Sequence, residues 1–386
     1  MTMCPLLRRR HRGDVAMPPA LTCRGGNPRT ATLLLLILLV ATGCASRPGP
    51  QVLAVVPASR TAIEQVTIQV ATTRQRDTTN GSYSAGRSPT LNFERFTVSV
   101  PRDHVITEIE WPKGAPDPEQ SFAVTERTIL PKLEFQAPSR RAGGFAGKRD
   151  VVIFVHGYNY SFEESLFRLA QLAVDGKLTE TPVLFAWPSA ASVAGYVADK
   201  DAVTYSRDDL VRVLTDIAND PKVGKITVFG HSMGAWLTAE ALRQLRLTGQ
   251  DAVIDRLGGV VLAAPDIDVD VFRRQMEVIG PLDPPMTLLV SKDDRALMAS
   301  SRIAGSRDRI GTRDVNDPQV QALAGANNIR LIDISEVSAL DGTNHNRFVG
   351  LVTVFPRLQN GVRTGLARAG AFVLEPISAT LLPPRP

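Results

Sequence analysis

The sequence predicts an α/β fold in which a mostly parallel central sheet carries helices on both faces. Three observations carry this expectation. From Asp150 onward, short apolar runs alternate with amphipathic segments, the pattern of strands joined by helical crossovers. Val151-Val-Ile-Phe-Val155 is apolar throughout, as a strand buried on both faces has to be. Gly230-His-Ser-Met-Gly234 lies between a β-branched and aromatic run (226–229) and a helical pattern starting at Ala235. A G-x-S-x-G in that setting is the turn that lifts a serine hydroxyl off the end of a sheet.

Residues 1–43 read as a leader. Arg8, Arg9, Arg10, Arg12, Arg24 and Arg29 make a basic region, residues 33–41 a nine-residue apolar core, and small residues then precede Cys44. Nine apolar residues fall well short of the roughly 20 that span a bilayer, so the shape is that of a secretory signal. It resembles a bacterial lipobox, whose cysteine is lipidated and becomes the mature N-terminus. The length of the basic region makes Met17 an alternative start. Cys4 and Cys23 would leave with the leader, and the remaining cysteine, Cys44, would be the lipidation site. Ala45 after it favours the outer membrane, facing the periplasm. The formal charge of +5 is also explained here, because six arginines and one aspartate in 1–43 hold the whole excess. The rest of the chain is balanced, which argues against nucleic acid as a partner.

The remaining chain divides into a tether (44–65), an α/β domain (66–356) and a C-terminal tail (357–386), the last partly disordered. Pro48, Pro50 and Pro57 mark the tether. Residues 66–70 and 93–100 alternate as half-exposed strands that enter the same sheet, with a polar loop at 77–89. Residues 112–148, rich in proline, form a long connection with one short strand. Within the domain, strands are expected at 151–155, 182–187, 226–229, 259–264, 286–290 and 329–334. Helices are expected at 162–174, 208–218, from Ala235, and at 346–355. Residues 190–206 are rich in small side chains and read as a loop or lid, and 302–328 as a polar insertion.

A serine nucleophile needs a base, and the base an orienting acid. Of five histidines, His11 is in the leader, His104 precedes the core sheet, His231 adjoins Ser232 in a turn whose neighbouring side chains diverge, and His156 ends a strand in a loop suited to bracing. His345 remains, after the last strand, where the chain order serine, acid, histidine puts the base. Asp294 follows the 286–290 strand and ranks first as the acid. Asp266, one strand earlier in Ala264-Pro-Asp-Ile-Asp268, ranks second, with a helix cap as its other reading, and Asp293 ranks third. The developing oxyanion calls for two backbone N–H donors: Met233, just after the nucleophile, and Tyr158 or Asn159 in the loop after residues 151–155. Tyr158, Tyr160 and Trp187 suit either a substrate pocket or the core. No metal pattern and no phosphate loop occurs, so the chemistry implied is cofactor-free acyl transfer.

Val155-His-Gly-Tyr-Asn159, Ala186-Trp-Pro-Ser189, Gly230-His-Ser-Met-Gly234, Ala264-Pro-Asp-Ile-Asp268 and Val290-Ser-Lys-Asp-Asp-Arg-Ala-Leu297 together resemble an uncharacterised bacterial α/β-hydrolase family, esterase/lipase-like and classed as a domain of unknown function. Val70-Ala-Thr-Thr-Arg74 and Val98-Ser-Val-Pro101 resemble its opening strands. The likeness extends over about 66–355. It implies the α/β-hydrolase fold and a serine, acid and histidine set on Ser232, Asp294 and His345, and leaves the substrate open. The leading expectation is a lipid-anchored carboxylic-ester hydrolase working through an acyl-enzyme. An envelope lipid or glycan acyltransferase would use the same residues with an alcohol as acceptor. A binding protein would use the fold without the chemistry.

Overall fold

The computed structural model describes residues 47–60, 62, 64–136, 148–339, 341–354 and 372–374. Apart from Arg47 they belong to the larger of two compact units, Pro48–Pro386. The leader, Cys44 and all but three residues of the tail lie outside the described residues.

Among the described residues, ten strands make one sheet: β1 (Glu64–Arg76), β2 (Tyr83–Val100), β3 (Ala123–Leu130), β4 (Arg149–Val155), β5 (Thr181–Ala186), β6 (Val223–His231), β7 (Leu257–Ala263), β8 (Met286–Val290), β9 (Ile329–Asp333) and β10 (Phe372–Leu374). Their order across the sheet is β10-β9-β8-β7-β6-β4-β5-β1-β2-β3. Pairing is parallel from β9 through to β1 and antiparallel at β1–β2, β2–β3 and β9–β10. The helices α1 (Phe162–Asp175), α2 (Tyr196–Ala218), α3 (Met233–Leu247), α4 (Val269–Ile279), α5 (Arg295–Ile303) and α6 (Pro318–Ala326) join the parallel strands.

The unbroken apolar runs are explained by the two cores. Ile153, Val155, Val183, Phe185 and Val228 pack with α2, α3 and α4 in one core, while Phe154, Leu184 and Phe229 pack with α1 and Phe348 in another. Successive residues of a strand point to opposite faces, so strands covered on both faces cannot afford polar alternation. Each such side chain contributes roughly 1.5–3 kcal/mol by leaving water. The start of α1 is fixed by a capping box, in which Ser161 accepts from the Glu164 amide and Glu164 accepts from the Ser161 amide.

Several local expectations need correction. Residues 50–56 are part of the domain and not a free tether: Val52 and Leu53 are buried, and the Val56 amide donates to Val124 O at 2.9 Å. β1 is buried almost throughout because β5 and β2 flank it and both its faces are covered. β2 begins at Tyr83, so the loop before it is shorter than 77–89. The lid-like stretch is mostly helix, since α2 begins at Tyr196 and only 190–195 is loop and short 3-10 turn. Of its small residues, Ala202, Val203 and Ser206 lie on the buried face of α2. The supposed insertion contains α6, capped by Asp317 with Pro318 at its first position, a start signal that polarity obscured. The final helix is a 3-10 segment, Arg347–Val354.

His104 ties the N-terminal connection to the end of α1. Its Nδ1 lies 2.8 Å from Glu110 Oε2 and its Nε2 2.8 Å from Asp175 Oδ1. Burial alone would lower its pKa, but hydrogen bonds and charge from the two carboxylates outweigh that and raise it. A raised folded-state pKa means stability that is complete below the unfolded value of about 6.5 and is lost as pH climbs through the folded value. Urea unfolding of wild type and His104→Gln should therefore differ most at mildly acidic pH, and the gap should close as pH rises. A gap that widens with pH would contradict this.

Candidate active site

The chain leaves β6 at His231 and enters α3 at Met233, so Ser232 alone makes the turn. It does so at φ 55° and ψ −120°, a conformation that costs a non-glycine residue on the order of 1–3 kcal/mol. Backbone hydrogen bonds hold it there. Ser232 N donates to Ala263 O at 2.9 Å, and Ser232 O accepts from Ala235 N at 3.0 Å and Asp266 N at 3.3 Å. Gly234 is obligatory, because a Cβ on it would stand 2.2 Å from Val155 O and 2.3 Å from His156 O. That contact locks the first turn of α3 against the end of β4. Ser232 itself is 2% exposed.

The three candidate acids separate cleanly. Asp294 is wholly buried at the N-cap of α5, where its side chain accepts from Leu297 N at 2.9 Å. Its other oxygen, Oδ2, lies 2.7 Å from His345 Nδ1. One carboxylate oxygen is thus fixed by a helix terminus and the other faces the imidazole. Asp266 instead forms a buried ion pair with Arg309 at 3.1 Å and accepts from Tyr196 Oη at 2.9 Å and Ser300 Oγ at 2.7 Å. Asp293 is engaged by Arg347 Nη2 at 2.8 Å, Asn344 Nδ2 at 2.9 Å and Ser291 Oγ at 2.8 Å. The first-ranked aspartate is the one that reaches the histidine.

His345 arrives on the turn after β9. Asp341 Oδ1 accepts from the amides of His345 and Asn346, at 3.2 and 3.3 Å, and Asn344 takes φ 62°. The His345 side chain is 13% exposed. Burial would lower its pKa, yet the charge and hydrogen bond of Asp294 leave it raised. With Nδ1 on the carboxylate, Nε2 is the nitrogen left for other chemistry. The His345 loop meets the elbow through His231, whose ring centroid lies 4.8 Å from that of His345 and 4.5 Å from Phe348. His231 is buried, which together with the nearby His345 holds its pKa well below the usual value. A neutral aromatic wall behind the base is a role that counting histidines along the chain could not assign.

The loop 156–160 lies over the serine. A Cβ on Gly157 would be 3.0 Å from Ser232 Cβ, so only glycine lets this backbone pass. Of the two donors expected in this loop, Asn159 donates its amide to Asp199 Oδ2 at 3.4 Å. Met233 is the first residue of α3, and the first N–H groups of a helix have no acceptor within it. His156 braces, as expected of it. Its ring stacks on Trp187 at 4.9 Å, its nitrogens face Gly157 O and Trp187 O, and burial, then the charge of Arg74, pushes its pKa down to about 3. Trp187 is fully buried and donates to His156 O at 2.7 Å, so it is core and not pocket lining. Tyr158 sends its hydroxyl to Ser192 O and Val193 O, joining this loop to the short turn before α2.

Sequence reasoning missed Asp199, hidden in the stretch read as a lid. It is buried and accepts from Ser189 Oγ and the Ala190 amide, both at 2.6 Å, besides Asn159. It also missed Arg347, the partner of Asp293. An aspartate inside a run of small residues was the only available signal for the first, and nothing local marks the second.

A family described as alpha/beta hydrolase of unknown function (DUF900) matches residues 145–361. No curated protein matches the chain. Among solved structures, Est1E from Butyrivibrio proteoclasticus is similar at 10% identity and a TM-score of 0.36, covering 70% of this chain and 96% of that one. A putative cell surface hydrolase from Lactobacillus plantarum gives 11% and 0.37, covering 58% and 98%. An esterase from Pyrococcus furiosus gives 18% and 0.32, covering 58% and 83%.

Proposed function

We propose, for a chain that belongs to the DUF900 family of α/β-hydrolases, that its reaction is the hydrolysis of carboxylic esters through Ser232, His345 and Asp294. The observation that carries this reading is the 2.7 Å contact between His345 Nδ1 and Asp294 Oδ2, on a loop packed against the turn that bears Ser232. In this reading Asp294 holds His345 in the tautomer with its proton on Nδ1, so Nε2 can take the Ser232 proton as Oγ attacks the ester carbonyl. The carbonyl oxygen gains the negative charge and is held by the amides of Met233 and Tyr158. Collapse of that intermediate expels the alcohol, which takes the proton from His345 and leaves an acyl-serine. Water, activated by the same imidazole, then releases the acid and restores the enzyme.

The same proposal places the enzyme on the cell envelope through a lipid on Cys44, a residue outside those described. Cys44→Ser should then move the protein from the membrane to the soluble fraction of broken cells, and unchanged membrane association would contradict it.

Chromogenic esters of increasing acyl length test the chemistry. Ser232→Ala should lower kcat by about 10⁶-fold, the scale seen when a serine nucleophile that works as part of a unit is removed. The base must be neutral to accept a proton. Since Asp294 raises the pKa of His345 against the effect of burial, kcat/KM should rise with pH through a value above about 6.5. A Ser232→Ala protein that turns over at the wild-type rate would overturn the proposal.

A further inference from the structure

The family match begins at residue 145, yet side chains from β1, far upstream, reach the loop that covers Ser232. β1 runs parallel to β5 with Thr72 opposite Ala186, so the residues after Thr72 emerge at the end of the sheet where the elbow lies. Thr72 Oγ1 donates to Ala186 O at 2.6 Å, and Thr73 Oγ1 and Ser206 Oγ of α2 share a hydrogen bond of 2.8 Å. Arg74 is 1% exposed and sends Nη2 to Tyr160 O at 2.8 Å and Nη1 to Ser84 O at 3.4 Å. Its Nε has no hydrogen-bond partner.

This is an expensive way to fill space. Burial pulls the guanidinium's pKa down to about 10, against the opposing charges of Glu163, Asp199 and Glu164, so it is still a cation at neutral pH. Buried ion pairs can often be replaced by apolar groups without loss of stability, which makes a buried arginine weak evidence for a stabilising role. Its contacts point to geometry. The Tyr158 amide sits between three backbone anchors: His156 O on Trp187 Nε1, Asn159 N on Asp199, and Tyr160 O on Arg74. Asn159 has φ 62°, so the turn needs such anchors to keep its shape.

We propose, resting on the ester-hydrolase reading, that Arg74 is a positioning residue for the oxyanion site: bonded to Tyr160 O, it fixes the turn 157–160 so that the Tyr158 amide aims at the oxyanion. It touches no reacting atom and acts through the loop. Through Arg74 alone, β1 thereby shapes the site from outside the segment 145–361 that the family model matches.

The test uses the full chain, a chromogenic ester and turnover normalised to titrated active sites. Arg74→Met should lower kcat about 10- to 100-fold, the scale of an ångström-level misplacement, while KM holds. Arg74→Lys, which keeps the charge and a donor, should recover most of the loss. The acid limb of the pH profile should stay put in both, because His345 and Asp294 are untouched. Thr73→Val, which breaks a neighbouring contact of the same strand to α2, should leave kcat unchanged. Should Arg74→Met fail to fold, Arg74→Met/Glu163→Gln removes an opposing buried charge as well and is measured in its place. Folded Arg74→Met with wild-type kcat per titrated site, or a loss confined to Tm, overturns the inference while leaving the ester-hydrolase reading intact. Turnover by wild type that persists in Ser232→Ala ends both.

Discussion

Ser232 occupies a backbone conformation that side-chain-bearing residues avoid, and the surrounding architecture is arranged to keep it there. Its amide is bonded to β7, its carbonyl caps the first turn of α3 and receives the Asp266 amide, and Gly234 lets that helix press against the carbonyls at the end of β4. Three neighbouring parallel strands therefore converge on one residue. Strain of this kind survives only where the surroundings over-determine it. The result is a hydroxyl held at the edge of the sheet, with a loop backbone passing over it where Gly157 permits.

Electrostatics sorts the remaining residues into roles. The aspartates close to the site each have a distinct set of partners, and Asp341 holds the amides of His345 and Asn346. Asp294 serves His345, Asp266 is neutralised by Arg309, Asp293 by Arg347, and Asp199 accepts from a serine hydroxyl and two amides. A buried carboxylate without such partners would be costly, so this division leaves one acid committed to the imidazole. The buried Arg74 offsets the negative charge gathered beneath the 156–160 loop.

The parallel sheet was legible because strands buried on both faces cannot hide: 151–155 is apolar end to end and 286–290 is broken only by Thr287, and the structure puts β4 and β8 there. The elbow was legible because Gly234 and its flanking strand and helix are local features. The order of the acids could be proposed from spacing, but separating Asp294 from Asp266 and Asp293 required Arg309 and Arg347, which stand far away in the chain from what they neutralise. The start of α2 was missed because alanine, serine and valine in 190–206 look like loop filler until Tyr196, Ala202 and Ser206 are found facing the core. Residues 50–56 were read as a tether from their prolines, while Val52 and Leu53 supplied the apolar contact that packs them down. Long-range partners, unlike periodicity, leave no mark on the local sequence.

The role of Ser232 as nucleophile is tested most directly by a fluorophosphonate probe. Intact mass after incubation should show one phosphonyl adduct per chain, and peptide mapping should place it on Ser232. Asp294→Asn should slow the labelling, while Asp266→Asn that remains folded should slow it much less. An adduct on another residue, or equal labelling of Ser232→Ala, would contradict the account.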